Sequence, residues 1–479
     1  MWLTSDATIE TRYYSQHLDH FGYGSMSSKY FTQKLVVDYS YGPPNQELVN
    51  GSPILVFFGG EAHIESWALG PGIGPGIVAL AATHFRALVV YIEHRFYGES
   101  VPYGSIDLAM MDTEVRGCFT SAQALADFAD IILSLKLNFS ITNSPVIVMG
   151  GSYSGMLAAW FRLKYPHIAI GALASSAPVL SILEIPPEDL YCSIASRDYR
   201  ETSHKCYDYI SKSWGLIDQI AMQPRGLDSL DRTFRTCSPL FAANELKNYL
   251  AQMYRYMAQY NGRFSRINII CDEISHTSEN DILEGISRVT LMLSGQQICN
   301  NITWIAPGNF NPLDHASQKA WSWQLCSELL SAQNACSNDT MFEPRTFSLS
   351  DHLEDCLERY GVYPHPKWLS TYYGGHEIKS TLKNFGSNII FSNGLKDPLS
   401  GASIREDISE TIVAINTNQG SHSLDMVAVH QDDPKWLINQ RKKELKIMSK
   451  WIINNRGFNL RHLNLFSLLV VEFVVIHIL

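Results

Sequence analysis

Clustered positive charge is missing from this chain, in which 37 Lys and Arg residues are outnumbered by 47 Asp and Glu residues. The formal net charge is −10, and no basic stripe marks any segment. Because nucleic-acid-binding surfaces concentrate Lys and Arg, nucleic acid is not an expected partner. Charged residues make up only 18% of the chain and hydrophobic residues 46%, which indicates a globular protein. A length of 479 residues predicts two structural units.

Cysteine pairs at CxxC spacing are also missing, so the sequence does not support a zinc ribbon. Eight of the nine cysteines lie between residues 192 and 356. This clustering predicts a local disulfide framework formed in an oxidising compartment, the alternative being a cytosolic protein with scattered thiols. Four glycosylation sequons agree with export: Asn50, Asn138, Asn301 and Asn338.

Neither terminus carries a clear targeting or membrane segment. The first residues have no basic and no apolar stretch, so no signal peptide is visible and we expect the N-terminus to be incomplete. The apolar stretch at 463–479 is interrupted by Glu472 and His477. It is shorter than the roughly 20 residues of a spanning helix, and a buried acid opposes insertion. We expect a divergent apolar tail at 458–479 and no firm membrane anchor.

Strand and helix patterns alternate in the first third of the chain. Apolar strand-like runs occupy 34–39, 53–58, 87–92 and 145–149, and a helical pattern covers 121–137. Continuous apolar strands that alternate with amphipathic helices predict a parallel sheet covered on both faces. From about 182 to 345 the alternation is replaced by helical segments, such as 246–260 and 281–293. Strand signals return at 388–392 and 410–415, and a final helix is expected over 434–454.

The run VIVMGGSYSGM at 146–156 places Ser152 in a glycine-rich turn between a strand and a helix. This is the context of a nucleophile elbow and predicts an α/β-hydrolase fold with Ser152 as the nucleophile. The pattern departs from G-x-S-x-G because Ser154 stands where the second glycine belongs. The N–H of Tyr153, at the helix N-terminus, is expected to help hold an oxyanion.

A serine nucleophile needs a base and an acid, and this fold places them in the order serine, acid, histidine. Asp397 follows the strand at 388–392, and His422 follows the next strand. We therefore predict Asp397 and His422 as the partners of Ser152. Gly60, after the strand at 53–58, is the predicted second oxyanion donor, although the glycine pair could also form an ordinary turn.

The chain resembles a family of serine exopeptidases that includes lysosomal Pro-X carboxypeptidase, the lysosomal dipeptidyl peptidase and the thymus-specific serine protease. The matching stretches lie at 14–21, 93–100 (EHRFYGES), 150–153, 156–160, 341–344 and 392–394. The resemblance extends from about residue 13 to 450. It implies an α/β-hydrolase core in two parts, 28–181 and 346–457, that flank a helical cap at 182–345.

The resemblance also implies the triad Ser152, Asp397 and His422, cleavage of peptides with proline near one end, and a lysosomal, vacuolar or extracellular location. It leaves a homodimer possible and implies no metal or organic cofactor. Eight cysteines allow 105 pairings. The family pattern suggests four disulfides, with Cys118 left free: Cys192–Cys336, Cys206–Cys271, Cys237–Cys299 and Cys326–Cys356.

Substrate recognition departs from the family pattern. Leu399 replaces a tryptophan beside the acid and Ala402 replaces a glycine, while Ser423 and Val427 stand where the family often has a histidine and an arginine. The loss of two potential cations weakens a clasp for a C-terminal carboxylate.

The overall resemblance favours release of the C-terminal residue from Pro-X ends, with release of N-terminal X-Pro dipeptides as the alternative. A carboxypeptidase would use cations such as Arg95 or Lys396, whereas a dipeptidyl aminopeptidase would use an acid such as Glu61. Met156 and Leu399 are further candidates for substrate contact. The charged stretch at 93–100 could instead form a structural ion-pair network. The sequence is also compatible with a carboxylic-ester hydrolase and with an inactive binding protein.

Overall fold

The computed structural model describes residues 8–42, 50–68, 76–180, 189–262, 266–293, 298–302, 314–329, 335–374 and 377–455. Eight strands form one sheet in the order β1-β2-β4-β3-β5-β6-β7-β8. β1 and β2 are antiparallel to their neighbours, and the strands from β4 to β8 run parallel. The strands are β1 (Ile9–His17), β2 (Tyr30–Asp38), β3 (Ile54–Phe58), β4 (Leu88–Ile92), β5 (Val146–Gly151), β6 (Gly171–Ser175), β7 (Ile389–Gly394) and β8 (Ile412–Thr417).

The central strands are buried on both faces, which explains their continuous apolar sequences. Along β3, for example, Val56 belongs to the core on one face and Leu55 to the core on the other. Period-two alternation therefore sends successive apolar side chains into two separate cores. Helices cover both faces, so the predicted α/β-hydrolase fold is confirmed.

The helices of the sheet-containing part precede and follow a helical segment. Before it lie α1 (Ile64–Ala68), α2 (Gly76–Phe85), α3 (Ile106–Met111), α4 (Thr113–Gly117), α5 (Ser121–Asn138) and α6 (Tyr153–Lys164). After it lie α14 (Leu349–Tyr360), α15 (Trp368–Tyr373), α16 (Ile378–Phe385) and α17 (Lys435–Asn455). Between them lie α7 (Leu190–Thr202), α8 (His204–Ala221), α9 (Gly226–Phe234), α10 (Ala243–Gln259), α11 (Arg266–Ser275), α12 (Ile282–Leu293) and α13 (His315–Ser327).

Helices α7 to α12 share a hydrophobic core of their own, to which Met341 and Phe342 also belong. Helix α13 packs elsewhere: its Trp323 shares a cluster with Phe96 and Phe119 of the sheet-containing part. The division of the chain at 182 and 345 remains a prediction.

The structure pairs the cysteines as the resemblance implies, Cys192–Cys336, Cys206–Cys271, Cys237–Cys299 and Cys326–Cys356, and Cys118 is free and buried.

Two strands are not predicted by the sequence patterns, and one is shifted. β1 is an edge strand with mostly exposed side chains, and β6 has the small-residue sequence GALAS. Small residues are needed in β6 because a Cβ on Gly171 would lie 2.2 Å from the Trp451 ring. The strand predicted at 410–415 begins at Ile412, since Ile408 and Ser409 form a turn that donates to the Ile412 carbonyl.

No helix in the described part of the chain is long and apolar enough to cross a membrane. The apolar tail predicted at 458–479 lies outside the described residues. The four sequon asparagines are all exposed, as attachment of a glycan requires.

Candidate active site

Ser152 occupies a strained turn between β5 and α6. Its φ of 58° and ψ of −128° lie outside the regions that side-chain-bearing residues prefer. Its N–H donates to the carbonyl of Ser175 on β6, and its own carbonyl accepts from Met156, one turn into α6. Such strain is typical of a nucleophile elbow, which lifts a serine hydroxyl above the sheet.

Two glycines make this turn possible. A Cβ on Gly150 would lie 2.2 Å from the Ser154 carbonyl oxygen, and a Cβ on Gly155 would lie 2.8 Å from the Ser175 carbonyl oxygen. Ser154, the departure from G-x-S-x-G, is accommodated because its hydroxyl donates to the Gly151 carbonyl at 2.8 Å. Gly155, one residue later, makes the close approach expected of the second glycine.

Asp397 and His422 come together at the same edge of the sheet, after β7 and β8. The Nδ1 of His422 lies 2.7 Å from Oδ2 of Asp397, and both side chains are buried. Asp397 Oδ1 accepts from the Leu399 N–H at 3.0 Å, which fixes the carboxylate. With Nδ1–H donating to the carboxylate, Nε2 carries the basic lone pair. Nε2 is buried and has no hydrogen-bond partner among the described residues.

The turn that carries His422 packs against the nucleophile turn. A Cβ on Gly151 would lie 2.8 Å from the Ser423 hydroxyl oxygen, so the residues next to Ser152 and His422 are in contact. The Ser423 N–H donates to the Ser176 hydroxyl, which holds the histidine turn against the end of β6. The structure thus brings the three predicted triad residues to one place on the sheet.

The end of helix α10 covers the histidine. The Gln259 carbonyl accepts from the His422 N–H at 3.1 Å, and the Tyr260 ring meets the imidazole edge-on, with ring centroids 5.4 Å apart. Tyr191 of α7 donates to the Gln259 side chain and braces this end. The helical segment therefore forms a wall of the site. Sequence reasoning missed Gln259, Tyr260 and Tyr191, because nothing local marks a helix end as part of a distant site.

The loop after β3 lies near the same place. Gly60 is beside the start of α6, since a Cβ on it would lie 3.6 Å from the Ser154 nitrogen. The neighbouring Glu61 has a buried Oε2 without a hydrogen-bond partner among the described residues. Burial raises the pKa of the Glu61 carboxyl, although its own backbone amide and the charge of His422 lower it in part. A carboxyl group that is easily protonated thus stands close to the histidine.

Arg95 is not placed to bind substrate. It is fully buried, and it contacts both carboxylate oxygens of Asp127 at 2.6 Å. Its remaining donors bind the carbonyls of His17, Leu18 and Cys118. A guanidinium with every donor occupied cannot also clasp a peptide carboxylate. The stretch at 93–100 therefore forms a structural network, the second of the two roles that its sequence allowed.

The other candidates for substrate contact are placed as follows. Met156 is buried in the core on one face of the sheet, and Leu399 is buried next to Asp397. Lys396 is half-buried in the turn before Asp397. Burial raises the pKa of Asp198 to about 6, and the charges of Arg197 and Lys396 lower it in part. Lys396 remains a candidate cation near the triad.

A buried polar network binds the hydroxyl of the Tyr153 side chain. Its hydroxyl accepts from the Gln324 amide at 2.8 Å and lies 3.1 Å from His94 Nε2. Gln324 also contacts Glu328, whose pKa burial raises to about 7. Sequence reasoning missed this network; its signal was a Gln and a Glu four residues apart at the C-terminal end of the aromatic-rich α13.

The chain is similar to known proteins over nearly its whole length. The chain is 36% identical to lysosomal Pro-X carboxypeptidase of Mus musculus over 92% of this chain and 89% of that protein, and 35% identical to the Homo sapiens protein over 92% and 88%. Proline iminopeptidase of Mycobacterium smegmatis, a solved structure, covers 93% of this chain and 99% of its own, with 10% identity and a TM-score of 0.36, too remote to bear on function. The profile of the family described as serine carboxypeptidase S28 matches residues 16–444. The chain therefore belongs to the serine carboxypeptidase S28 family.

Proposed function

We propose that this protein hydrolyses peptide bonds after proline and releases the C-terminal residue from Pro-X ends. The observation that carries the proposal is the buried His422–Asp397 pair beside the strained Ser152, in a chain similar to lysosomal Pro-X carboxypeptidase. The relatives supply the preference for Pro-X, and the geometry supplies the acyl-transfer chemistry.

In this mechanism His422 Nε2 takes the proton of the Ser152 hydroxyl as its oxygen attacks the carbonyl carbon of proline. Asp397 holds the imidazole in the required tautomer and stabilises the imidazolium. The Tyr153 N–H and a donor near Gly60 stabilise the oxyanion, each by about 3–4 kcal/mol. The imidazolium then protonates the leaving amine, and the C-terminal residue departs. Water, deprotonated by His422, hydrolyses the acyl-enzyme and regenerates Ser152.

The preference for a chain end is attributed to the wall that α10 forms. Because Gln259 and Tyr260 contact the histidine turn itself, this side of the site has little room for a polypeptide that continues. A short peptide end would fit where a folded chain would not.

Release of N-terminal X-Pro dipeptides is the second candidate, and Glu61 is the observation that favours it. An acid near the triad suits a substrate ammonium, whereas the arginine expected for a carboxylate is occupied in the core. The raised pKa of Glu61 limits this role at acidic pH, because a protonated carboxyl has no charge to offer.

We propose a lysosomal, vacuolar or extracellular location. Four disulfides need an oxidising compartment for their formation, and all four sequons are exposed. The lysosomal relatives point in the same direction.

The test is cleavage of a peptide panel at pH 5, read by mass spectrometry, with Ser152→Ala as the control. The panel contains peptides that end in Pro-X, peptides that begin with X-Pro, and proline-free versions of both. Release of one C-terminal residue after proline, lost in Ser152→Ala, would support the proposal. Release of X-Pro dipeptides would replace it with the second candidate. Absence of any cleavage by disulfide-bonded protein would refute both.

A further inference from the structure

Two carboxyl side chains are buried side by side beneath the turn that carries His422. Asp425 follows the histidine by three residues, and Glu444 lies on α17; their exposed fractions are 1% and 0%. Ser175 donates to Asp425 Oδ1 at 2.5 Å, and Ser392 donates to Glu444 Oε1 at 2.6 Å. Ser175 and Ser392 are register partners on β6 and β7, so the strands hold the two carboxyls next to each other.

The second oxygens of the two groups have no N–H or hydroxyl donor among the described residues. Asp425 Oδ2 and Glu444 Oε2 are both buried without such a partner, and the first oxygens of the two groups are held by serines that are neighbours on adjacent strands. Ionised carboxylates only accept hydrogen bonds, so this arrangement is favourable only with a proton between the groups.

Among the described residues, Arg441 is a cation whose charge acts on both carboxyls, and it donates hydrogen bonds to other groups. Arg441 donates to Asp433 at 2.7 Å and to the backbone carbonyls of Leu424, Asp425 and Val427. The sheet contributes the Ser175 and Ser392 hydroxyls, and Gln440 of α17 donates to the Ser392 hydroxyl.

On the remaining side, α2 contributes the Ile77 N–H, which donates to the Asp425 carbonyl. Burial raises the pKa of both carboxyls, and Arg441 lowers them in part. In the described part of the chain, Arg441 is therefore ion-paired with Asp433, and no ion pair joins it to the Asp425 or Glu444 carboxyl.

We propose that Asp425 and Glu444 share one proton, and that this protonated pair positions His422 for catalysis. The inference rests on the proposed function, because it assigns His422 the role of base. The link is short: Asp425 follows His422 by three residues, and the Met426 N–H donates to the Ser423 carbonyl within the same turn, so a displacement of Asp425 is transmitted to the histidine.

Loss of the shared proton leaves two buried carboxylates in contact. Their repulsion displaces Asp425, and the histidine turn moves with it away from Ser152. Activity therefore falls as the pH rises through the titration of the pair. The free energy of unfolding also falls as the pH rises. The folded protein binds one more proton than the unfolded chain between the ordinary carboxyl pKa and the raised pKa of the pair. Stability is thus fully present below that window and declines through it.

The decisive variant is Glu444→Gln, whose amide donates to the Asp425 carboxylate at every pH. The exposed Glu406→Gln is the matched control. We expect kcat for a Pro-X peptide at pH 5 to remain within about threefold of the wild-type value in Glu444→Gln. Above the titration, kcat of the wild type and of Glu406→Gln should fall about tenfold per pH unit, a one-proton dependence. In Glu444→Gln this fall should be absent. An unchanged alkaline fall in Glu444→Gln would overturn the inference.

A second measurement is independent of catalysis and of the fate of any one variant. Urea unfolding of Ser152→Ala is followed against pH, with and without Glu444→Gln; Asp425→Asn replaces the latter if it does not fold. For each pH unit, the unfolding equilibrium constant of Ser152→Ala should rise about tenfold more than that of the same protein carrying Glu444→Gln. Equal slopes would refute the shared proton. If the wild type cleaves no peptide at any pH, the proposed function fails, and the unfolding slopes still decide whether the proton is shared.

Discussion

His422 Nδ1 lies 2.7 Å from Asp397 Oδ2, although the two residues belong to separate loops after neighbouring parallel strands. The contact arises because the carboxyl ends of β7 and β8 meet at one edge of the sheet. The aspartate accepts from the imidazole and from the Leu399 N–H, so neither partner is free to turn.

Asp397→Asn tests this relationship. An amide can donate to Nδ1 and so favours the tautomer with its proton on Nε2, which cannot act as base. We expect kcat to fall about ten-thousand-fold, as for other serine triads that lose the acid in this way. The measurement is peptide hydrolysis at pH 5 with Ser152→Ala as the background. A decrease of less than about tenfold would exclude Asp397 as the orienting acid.

Gly155→Ala should destabilise the protein and impair the nucleophile turn. The new methyl would lie 2.8 Å from the Ser175 carbonyl oxygen and 3.0 Å from the Gly150 carbonyl oxygen. Both are backbone atoms, so relieving the contact would require the main chain to shift. Overpacking of this kind costs about 1–3 kcal/mol. Gly215→Ala, on α8 with open space around the added carbon, is the control and should stabilise by about 0.5–1 kcal/mol. Urea unfolding of both variants gives the comparison, and equal stabilities would contradict the tight packing.

Arg95→Gln should destabilise the protein, and the molecules that still fold should have an unchanged KM. It leaves the fully buried Asp127 carboxylate without its bidentate partner, a loss that costs about 3–5 kcal/mol. Arg359→Gln, which breaks the exposed pair with Asp355, is the matched control and should cost less than about 1 kcal/mol. Chemical denaturation and peptide kinetics together test this. A raised KM for Pro-X peptides in fully folded Arg95→Gln would instead indicate that Arg95 takes part in substrate binding.

Glu61→Gln separates the two candidate substrate ends by its pH dependence. Burial raises the pKa of Glu61, so the group is neutral at low pH and gains negative charge as the pH rises. If the site holds a C-terminal carboxylate, KM of the wild type increases with pH through repulsion, and Glu61→Gln removes that increase. If the site holds an N-terminal ammonium, Glu61→Gln instead raises KM for X-Pro peptides by at least about tenfold at neutral pH. A KM that is unchanged for both peptides would place Glu61 outside the substrate site.

Removal of the Cys206–Cys271 bridge should destabilise the helical segment. The bridge spans 65 residues, for which the chain-entropy treatment gives about 4 kcal/mol. The paired change to serine is compared in urea with Cys118→Ala, which removes a buried free thiol and should cost about 1 kcal/mol. An equal loss in both proteins would show that the cross-link contributes little.

The local sequence determined much of the candidate site. A strand, small residues around Ser152 and a following helix specify the elbow, because that turn is steric and involves neighbours in the chain. Asp397 and His422 could be predicted since strand ends of a parallel sheet meet at one edge. The apolar runs of β3, β4 and β5 are likewise set by their burial on both faces.

Only the tertiary structure decided the remaining roles, since burial and partners depend on residues far apart in the chain. The sequence alone left Arg95 open as a substrate cation, yet Asp127 and three carbonyls occupy its donors. Glu444 resembles any helical glutamate until α17 packs it against Asp425. Local sequence therefore determines which groups can react, while long-range packing sets the charge and freedom of the groups around them.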